Sequence, residues 1–441
     1  MIQYPADSVQ PDDPISRLDS SYTPDGAAGP SSTAFEAAGQ ARAPAAPVAV
    51  LRLDLTDFRC YETARLEVDA RPVVLTGPNG AGKTNLLEAV SFLAPGRGLR
   101  RARLAEIDRR PALMGGEATR EVSRPWAVAA RLATPDGLVA IGTGRDGTSE
   151  TGDRRLVRID GQAVKGQAAL AGYLNLVWLT PQMDRLFQEG AAPRRRFLDR
   201  LVFGYDSAHA TRLAAYEQAL RERAKLLRAG GADPQWLSVL EETLAREGVA
   251  VAAARREVAD RLDQTASRPA GSFPSPRLTL DGGVDAWLDQ MPALAVEERL
   301  RAEYGASRRL DAEIGGASVG PHRTDLKVHH AAKGAAAVDC STGEQKALLI
   351  SIVLAHARLQ AGAKGAAPVL LLDEVAAHLD RTRRRALFDE IVALGSQAWL
   401  TGTDPELFTE LGGRADFVTV ADGAALHGAG GAALRGVSHA R

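Results

Sequence analysis

Apolar positions at both ends of the chain follow patterns that predict β-strands. Residues 48–58 (VAVLRLDLTDF) alternate as a half-buried strand does, and 70–77 (ARPVVLTG) form a short apolar run that ends in glycine. Residues 126–165 contain a Pro-Asp-Gly turn and Asp160-Gly161, which predict antiparallel hairpins. Further strands are predicted at 175–182 (NLVWLTPQ), 367–375 (APVLLLDEV) and 397–404 (QAWLTGTD).

The middle of the chain, from about residue 194 to 315, changes to helical spacing. One predicted helix carries Leu213, Tyr216, Leu220 and Leu227, and residues 229–234 (AGGADP) end it. The spacing then resumes, which predicts a short antiparallel helical hairpin. Its second helix is expected to bury Leu237, Leu240, Leu244, Val251, Val258 and Leu262.

The segment GPNGAGKT follows one of the predicted strands and opens a predicted helix. It fits the pattern G-x-x-x-x-G-K-[ST] in the context that a phosphate loop requires. Lys83 would bring its charge to the β- and γ-phosphates of a nucleoside triphosphate, and Thr84 would offer its hydroxyl to Mg²⁺. The predicted ATP-binding residues of this loop are Gly77, Pro78, Asn79, Gly80, Ala81, Gly82, Lys83 and Thr84.

Two carboxylates follow the apolar run VLLL, at the end of a predicted buried strand. In open α/β sheets ligands bind at this edge. Asp373 is predicted to hold Mg²⁺, and Glu374 to deprotonate the attacking water as a general base. A strand that ends in two solvated acids is the alternative, and the phosphate loop makes it the weaker one.

Residues 341–345 (STGEQ) open another predicted helix and admit two interpretations. Ser341 and Glu344 fit the S-x-x-E capping box, which is sufficient to explain the segment as a helix start. Gly343, however, lies in the first turn, where glycine costs helix stability and lets an anion approach the backbone. The segment could therefore also donate hydrogen bonds to a γ-phosphate.

Bulk composition limits the range of functions. The 441 residues carry a formal net charge of −1, so nucleic-acid binding must come from local patches. Cys60 and Cys340, the two cysteines, stand in no metal-binding spacing and fit a reducing cytosol. The chain contains no apolar run long enough to span a bilayer, and the pattern of a signal peptide is missing from its start. A cytoplasmic protein with no membrane partner is therefore expected.

The pattern S-x-G-x-Q ahead of an acidic strand resembles the signature motif of ABC-type ATPases. In that superfamily the signature faces the nucleotide of a second copy, which implies an ATP-dependent homodimer. Ser341, Gly343 and Gln345 would then act in trans, with Asp380 in the D-loop. Gln182 stands where a Q-loop would sense Mg²⁺ and the γ-phosphate. The family's switch histidine is missing from TGTD at 401–404, so Thr401 or Thr403 would have to replace it.

Longer segments are similar to the RecF family of DNA repair proteins. They are 55–62 (LTDFRCYE), 77–102, 180–206, 319–326 (VGPHRTDL) and 370–391, in this order. The likeness covers about residues 48–430, with Glu374 standing where many relatives have a second Asp. It implies a P-loop NTPase of α/β class, an ABC/SMC-like ATPase head with an antiparallel β lobe and a helical insertion lobe without a long coiled coil. The expected domains are a disordered tail at 1–47, a discontinuous ATPase domain (lobe I) at 48–193 and 316–441, and a helical lobe II at 194–315.

The RecF resemblance also implies a function and partners. It implies a weak, DNA-stimulated ATPase that binds single-stranded, gapped or duplex DNA, acts with RecO and RecR to load RecA, and supports the SOS response. Clustered arginines could contact DNA phosphates, or be ordinary solvated side chains. A P-loop kinase, a transporter-type ABC ATPase and a scaffold that binds ATP without turnover remain alternatives. The predicted DNA-contacting residues are Arg100, Arg101, Arg103, Arg194 and Arg195.

Overall fold

A computed structural model describes residues 47–109, 124–147, 154–230, 233–267, 271–421 and 424–427. The tail predicted to be disordered, apart from residue 47, lies outside the described residues. The chain divides into two compact units. The first contains the residues up to Trp178, residues 365–377 and those from Ile391 onward; the second contains residues 179–364 and 378–390.

This division places residues 179–193 and 316–364 with the helical insertion. The sequence pattern assigned both segments to the ATPase domain. The two divisions agree that the ATPase part is discontinuous and that the helical part is inserted into it. The boundaries between the ATPase domain and the helical lobe, at residues 193/194 and 315/316, remain a prediction.

The described residues form fifteen strands. Most coincide with the predicted apolar runs, because these runs supply a buried face at every second position or, in the parallel sheet, at every position. The strands are β1 Ala49–Phe58, β2 Tyr61–Glu67, β3 Val73–Thr76, β4 Ala127–Thr134, β5 Gly137–Arg145, β6 Arg155–Ile159, β7 Gln162–Ala163, β8 Leu176–Leu179, β9 Pro276–Asp281, β10 Asp325–His330, β11 Ala335–Ala336, β12 Val369–Leu372, β13 Ala398–Gly402, β14 Asp416–Ala421 and β15 Ala424–His427.

Nine α-helices lie within the described residues. No helix in this part of the chain is both long and apolar enough to cross a membrane. The helices are α1 Lys83–Ser91, α2 Ala191–Phe203, α3 His209–Ala229, α4 Pro234–Ala266, α5 Gly283–Leu288, α6 Ala293–Ala306, α7 Arg308–Ile314, α8 Thr342–Lys364 and α9 Arg381–Ala393.

Two sheets build the first unit. One is antiparallel, in the order β2-β1-β4-β5-β6-β7, and contains the predicted hairpins. The other has the order β15-β14-β3-β13-β12-β8; β14, β3, β13 and β12 run parallel to one another, and β15 pairs antiparallel with β14. The phosphate-loop strand β3 therefore lies between strands that come more than three hundred residues later. This arrangement brings the ends of β3, β12 and β13 to one edge of the sheet.

A single apolar core joins the two sheets of the first unit to helix α1. Its centre is a group of aromatic rings: Phe58 and Phe92 each pack against Trp126, with ring centroids 5.6 and 5.0 Å from it. All three side chains are fully buried. Leu86, Val90 and Leu93 line the buried face of α1 and of the turn after it.

The second unit is mainly helical. Helices α3 and α4 form the predicted hairpin, and Asp233 caps α4 by accepting the N–H of Gln235 at 2.8 Å. Buried arginines cross-link the helices: Arg223 pairs with Glu241 and Asp311 at 2.9 and 2.7 Å. Because each carboxylate has a cationic partner, these buried charges are compensated.

Strand β9 corrects the prediction of an all-helical insertion. It lies within the segment whose spacing predicted helices and loop only. It pairs antiparallel with β10, so that Leu278 and Leu280 face Val328 and Leu326 across the ladder. A six-residue strand whose partner is about forty-five residues away leaves little periodicity of its own.

Candidate nucleotide site and signature helix

The phosphate loop requires glycine at two positions, Gly77 and Gly82. A Cβ on Gly77, which has φ +145°, would lie 2.0 Å from the carbonyl oxygen of Val420 on β14. Gly82 has φ +111°, and a Cβ there would lie 2.5 Å from the hydroxyl of Tyr61. Only glycine combines these φ angles with such close approach. The loop is therefore built against β2 and β14 on two sides.

Tyr61 and Lys83 hold the loop in shape. The Tyr61 hydroxyl donates a hydrogen bond to the Gly82 carbonyl at 3.1 Å, and its burial raises the pKa of that phenol. Lys83 Nζ donates to the carbonyl oxygens of Gly77 and Pro78 at 2.7 and 2.8 Å. Desolvation lowers the pKa of Lys83, and the nearby Glu374 and Asp373 oppose that effect. A partly desolvated ammonium group of this kind gains from the arrival of a phosphate.

Helix α1 begins immediately after the loop and leaves backbone donors available. No described residue accepts a hydrogen bond from the backbone N–H of Gly82, Lys83 or Thr84, and Gly82 provides no side-chain cap. Unpaired N–H groups at a helix start form an anion site together with the helix dipole. This supports the predicted role of the loop in binding phosphate.

The end of the acidic strand β12 lies close to the phosphate loop, although β13 separates β12 from β3 in the sheet. Thr84 Oγ1 donates to Asp373 Oδ1 at 3.0 Å. Thr401 on β13 donates to the same oxygen at 2.7 Å and accepts the backbone N–H of Glu374 at 2.9 Å. Glu374 itself has φ +52° and is half-buried.

These residues fit a Mg²⁺ ion that accompanies ATP. Mg²⁺ prefers hard oxygen ligands and is usually held by one or two protein oxygens plus phosphates and water. Thr84 and Asp373 supply a hydroxyl and a carboxylate in hydrogen-bonding contact, next to Lys83. Glu374 is the next residue after Asp373, and its role as the general base stays a prediction.

The predicted Q-loop and switch residues have contrasting environments. Gln182 is exposed in the short 3₁₀ helix Pro181–Arg185 of the second unit, and no described residue bonds to its amide. Thr401 is fully buried, whereas Thr403, two residues on, is exposed. Thr401 is bonded to both acidic residues and Thr403 is exposed, and which of the two replaces the switch histidine stays a prediction.

The start of helix α8 forms only one of the two hydrogen bonds of the predicted capping box. Glu344 accepts the backbone N–H of Ser341 at 3.0 Å, as predicted. The Ser341 hydroxyl, however, donates to the Glu344 carboxylate at 2.9 Å instead of accepting a backbone N–H. Lys333 also donates to this carboxylate. Bonds from Lys333 and Ser341 lower the pKa of Glu344 to about 2. The cause of the difference is thus an ionised carboxylate that attracts the hydroxyl.

The other predicted signature residues divide into exposed and buried ones. Ser341 and Gly343 are exposed, and a Cβ on Gly343 would meet nothing within 4 Å. Gln345 is only 2% exposed, and its amide donates to the Cys340 carbonyl at 2.8 Å. Gln345 therefore stabilises the start of α8 from its buried side. This position differs from the predicted contact with a second copy. An approaching anion has access to Ser341 and Gly343.

Asp380, the predicted D-loop residue, caps helix α9. Its Oδ1 accepts the backbone N–H of Arg383 at 2.9 Å, and its side chain is more than half exposed. The N-cap bond fixes the carboxylate at the surface. A contact with a second copy remains a prediction for this residue.

The five arginines predicted to contact DNA fall into two groups. Arg101 and Arg103 are exposed in the segment after α1, and Arg100 donates to Asn85 at 2.9 Å. Arg194 forms a two-bond pair with Asp325 at 2.7 and 2.8 Å, and Arg195 donates to the Thr324 carbonyl at 2.6 Å. The bonds of Arg194 and Arg195 favour a structural role. DNA contact is better supported for the first group and stays a prediction for both.

Arg155 orders the segment that carries the first group, and sequence reasoning missed it. Its half-buried side chain donates to the Gly96 carbonyl at 2.9 Å and to Gln167 at 2.8 Å, and its guanidinium lies 5.1 Å from the centroid of the Phe92 ring. Burial lowers its pKa to about 9. One arginine among many at the start of a predicted strand gives no signal of such a role.

Comparison with known proteins agrees with the geometry. A family profile described as the RecF/RecN/SMC N terminal domain matches residues 49–420. The chain is 50% identical to the DNA replication and repair protein RecF of Rhizobium etli over 378 residues, which are 85% of this chain and 98% of that protein. The chain belongs to the RecF family. RecF of Agrobacterium fabrum is also 50% identical to it over the same share of both chains.

Solved structures show that the RecF-type fold is preserved. The recombination mediator protein RecF-ATP in the RecFOR pathway matches with a TM-score of 0.73 at 22% identity, over 89% of this chain and all of that one. The ABC/SMC-like P-loop ATPase fold and the RecF resemblance predicted from the sequence are thus confirmed.

Proposed function

We propose that this RecF-family chain is a Mg²⁺-dependent ATPase that works on DNA, and that ATP pairs two copies of it. The observation that carries the proposal is the contact between Thr84 and Asp373 at 3.0 Å, which joins the phosphate loop to the acidic strand. Similar chains are named as DNA replication and repair proteins, and a structure with the same fold is described as RecF-ATP. Weak hydrolysis, stimulated by DNA, would serve to reset a conformational switch.

In the proposed reaction each residue has a separate task. The loop amides and Lys83 would bind the phosphates of ATP, and Thr84 and Asp373 would hold Mg²⁺, which would neutralise charge on the transferred phosphoryl group. The Glu374 carboxylate accepts a proton from the water that attacks the γ-phosphate. The bond between the γ-phosphorus and the bridging oxygen breaks, and ADP leaves.

Pairing of two copies would complete the site. Ser341 and Gly343 are exposed at the start of α8, which suits a contact with the γ-phosphate held by a second copy. The Ser341 hydroxyl would have to leave Glu344 to make this contact. Asp380 would join the same interface, Gln182 would keep its predicted Q-loop role, and hydrolysis would release the two copies.

We infer the biological setting from family membership. The proposal includes binding to single-stranded, gapped or duplex DNA, cooperation with RecO and RecR in loading RecA, support of the SOS response, and a cytoplasmic location. Among the described residues, no feature favours a small-molecule kinase or a transporter-type ATPase.

Three measurements on the full chain test the proposal. We expect wild type to bind ATP with Mg²⁺, to hydrolyse it faster when DNA is added, and to sediment as a dimer only with ATP. Lys83→Ala should lose ATP binding and dimerisation, whereas Lys225→Ala, an exposed lysine on α3, should retain both. A wild-type chain that neither binds ATP nor responds to DNA would refute the proposal.

A further inference from the structure

Thr401 lies on β13, directly beside the acidic strand, and its side chain is fully buried. The parallel register pairs Leu372 with Leu400, so Asp373 and Thr401 are the next residues of adjoining strands. A threonine at this point of an otherwise apolar strand needs hydrogen-bond partners for its hydroxyl. It finds them in the two acidic residues of the candidate site.

The direction of both hydrogen bonds follows from their chemistry. The backbone N–H of Glu374 can only donate, so Thr401 Oγ1 accepts it at 2.9 Å. The single hydroxyl hydrogen of Thr401 is then used on Asp373 Oδ1 at 2.7 Å. Thr401 thus connects the backbone of one acidic residue to the side chain of the other.

This connection also orients the Asp373 carboxylate. Its Oδ1 receives two hydroxyls, from Thr401 and from Thr84 at 3.0 Å. Among the described residues, Oδ2 has no hydrogen-bond partner. One oxygen is therefore fixed to the protein, and the other is available to a cation.

The same hydroxyl bonds to a strained peptide. Glu374 has φ +52°, in the left-handed region that residues with a Cβ rarely adopt. Such conformations persist where surrounding contacts determine them, and they cluster at functional sites. The bond from the Glu374 N–H to Thr401 is a contact of this kind, since it holds the amide of the strained residue.

We propose that Thr401 is a positioning residue that sets the Mg²⁺-facing oxygen of Asp373 and the direction of the Glu374 side chain through one hydroxyl. The proposal rests on the proposed ATPase function. Partners of metal ligands typically affect metal affinity or activity by about 10- to 100-fold.

Substitutions at residue 401 isolate the hydroxyl. Thr401→Val keeps the shape and removes the hydroxyl. Thr401→Ser and Thr401→Ala both remove the methyl group, and only the serine keeps the hydrogen bonds. Thr134→Val is the matched control, because it deletes another buried threonine hydroxyl, bonded to the Gly137 carbonyl at 2.9 Å in the antiparallel sheet.

For the valine and alanine variants we expect kcat to fall about 10- to 100-fold and the Mg²⁺ concentration for half-maximal turnover to rise about tenfold. The KM for ATP should stay within about threefold, because Lys83 and the loop amides are unchanged. Calorimetric titration should show weaker ATP binding at limiting Mg²⁺, whereas ATP binding at saturating Mg²⁺ and without Mg²⁺ should be unaltered. Thr401→Ser and Thr134→Val should resemble wild type in all of these.

The possible outcomes distinguish the positioning role of Thr401 from the proposed ATPase function. If wild type turns over Mg²⁺-ATP and the valine and alanine variants match it in kcat and Mg²⁺ dependence, the positioning role is wrong and the ATPase function stands. If wild type itself shows no Mg²⁺-dependent ATP binding, both are wrong. Should the valine variant fail to fold, the serine–alanine pair decides, because equal behaviour of the two refutes a role for the hydroxyl.

Discussion

Thr84 and Asp373 touch through a 3.0 Å hydrogen bond although 289 positions separate them in the sequence. The contact joins the first helical turn after the phosphate loop to the end of β12. It shows that two motifs from opposite ends of the chain build one site in the first unit. The predictions below begin from that site.

Glu374→Gln should bind Mg²⁺-ATP as wild type does and should hydrolyse it at least about 100-fold more slowly, because it removes the general base and keeps the shape. Turnover and nucleotide titration measure the two effects. Glu406→Gln removes an exposed carboxylate from the same unit and should be neutral. Normal turnover in Glu374→Gln would show that another group takes the proton.

Ser341→Arg should bind ATP as a monomer in sedimentation, since an arginine at the exposed start of α8 would obstruct a second copy. Mixed with Lys83→Ala, it should regain part of the wild-type turnover, because one site of the mixed dimer has an intact loop and an intact signature. Each variant alone should remain inactive. A mixture that stays inactive would argue against action in trans.

Arg194→Gln and Arg103→Gln should have opposite effects. The first loses the paired bonds to Asp325 and should lower the free energy of unfolding by about 2 kcal/mol. The second should leave stability unchanged, weaken DNA binding, and reduce the salt slope of binding by about one. Chemical denaturation and DNA titrations at several salt concentrations distinguish the two. A large loss of DNA affinity for folded Arg194→Gln, with none for Arg103→Gln, would reverse the assignment.

The buried His356 and the half-buried His322 should make the second unit less stable in mild acid. Burial lowers the pKa of His356 and of His322 to about 4, from an ordinary value of 6.5. The unfolded chain therefore binds more protons between about pH 6.5 and 4, so stability falls as the pH is lowered through that window. The full effect is about 3 kcal/mol for each histidine.

Denaturation at several pH values tests this. Variants His356→Gln and His322→Gln should each flatten the profile between pH 6.5 and 4, whatever their stability at pH 7. His329→Gln, on β10, controls for the loss of an imidazole elsewhere in the unit. Profiles parallel to that of wild type in both buried-site variants would contradict the assignment.

Most of the nucleotide site could be predicted because its residues occur in continuous motifs. The phosphate loop and the acidic strand each combine a residue pattern with the secondary structure that it needs, and both lie where predicted. Strands with a clear apolar alternation could be predicted equally well. Membership of the family followed from several segments in a fixed order.

Other features could not be predicted, because they depend on partners that are distant in the sequence. The burial of Gln345 and the bond between Ser341 and Glu344 depend on neighbouring segments, including Lys333 on the turn after β10. Strand β9 becomes a strand by pairing with β10. For Thr401, only the register of two parallel strands reveals which oxygen its hydroxyl meets.

The position of β3 between β13 and β14 also affects synthesis of the protein. The phosphate-loop strand leaves the ribosome more than three hundred residues before either neighbour in the sheet. At about 5–20 residues per second, this delay is roughly 20–60 s. A nascent chain thus carries a complete phosphate-loop sequence before the parallel strands that support it exist, and it gains its nucleotide site only after β12, β13 and β14 have been made.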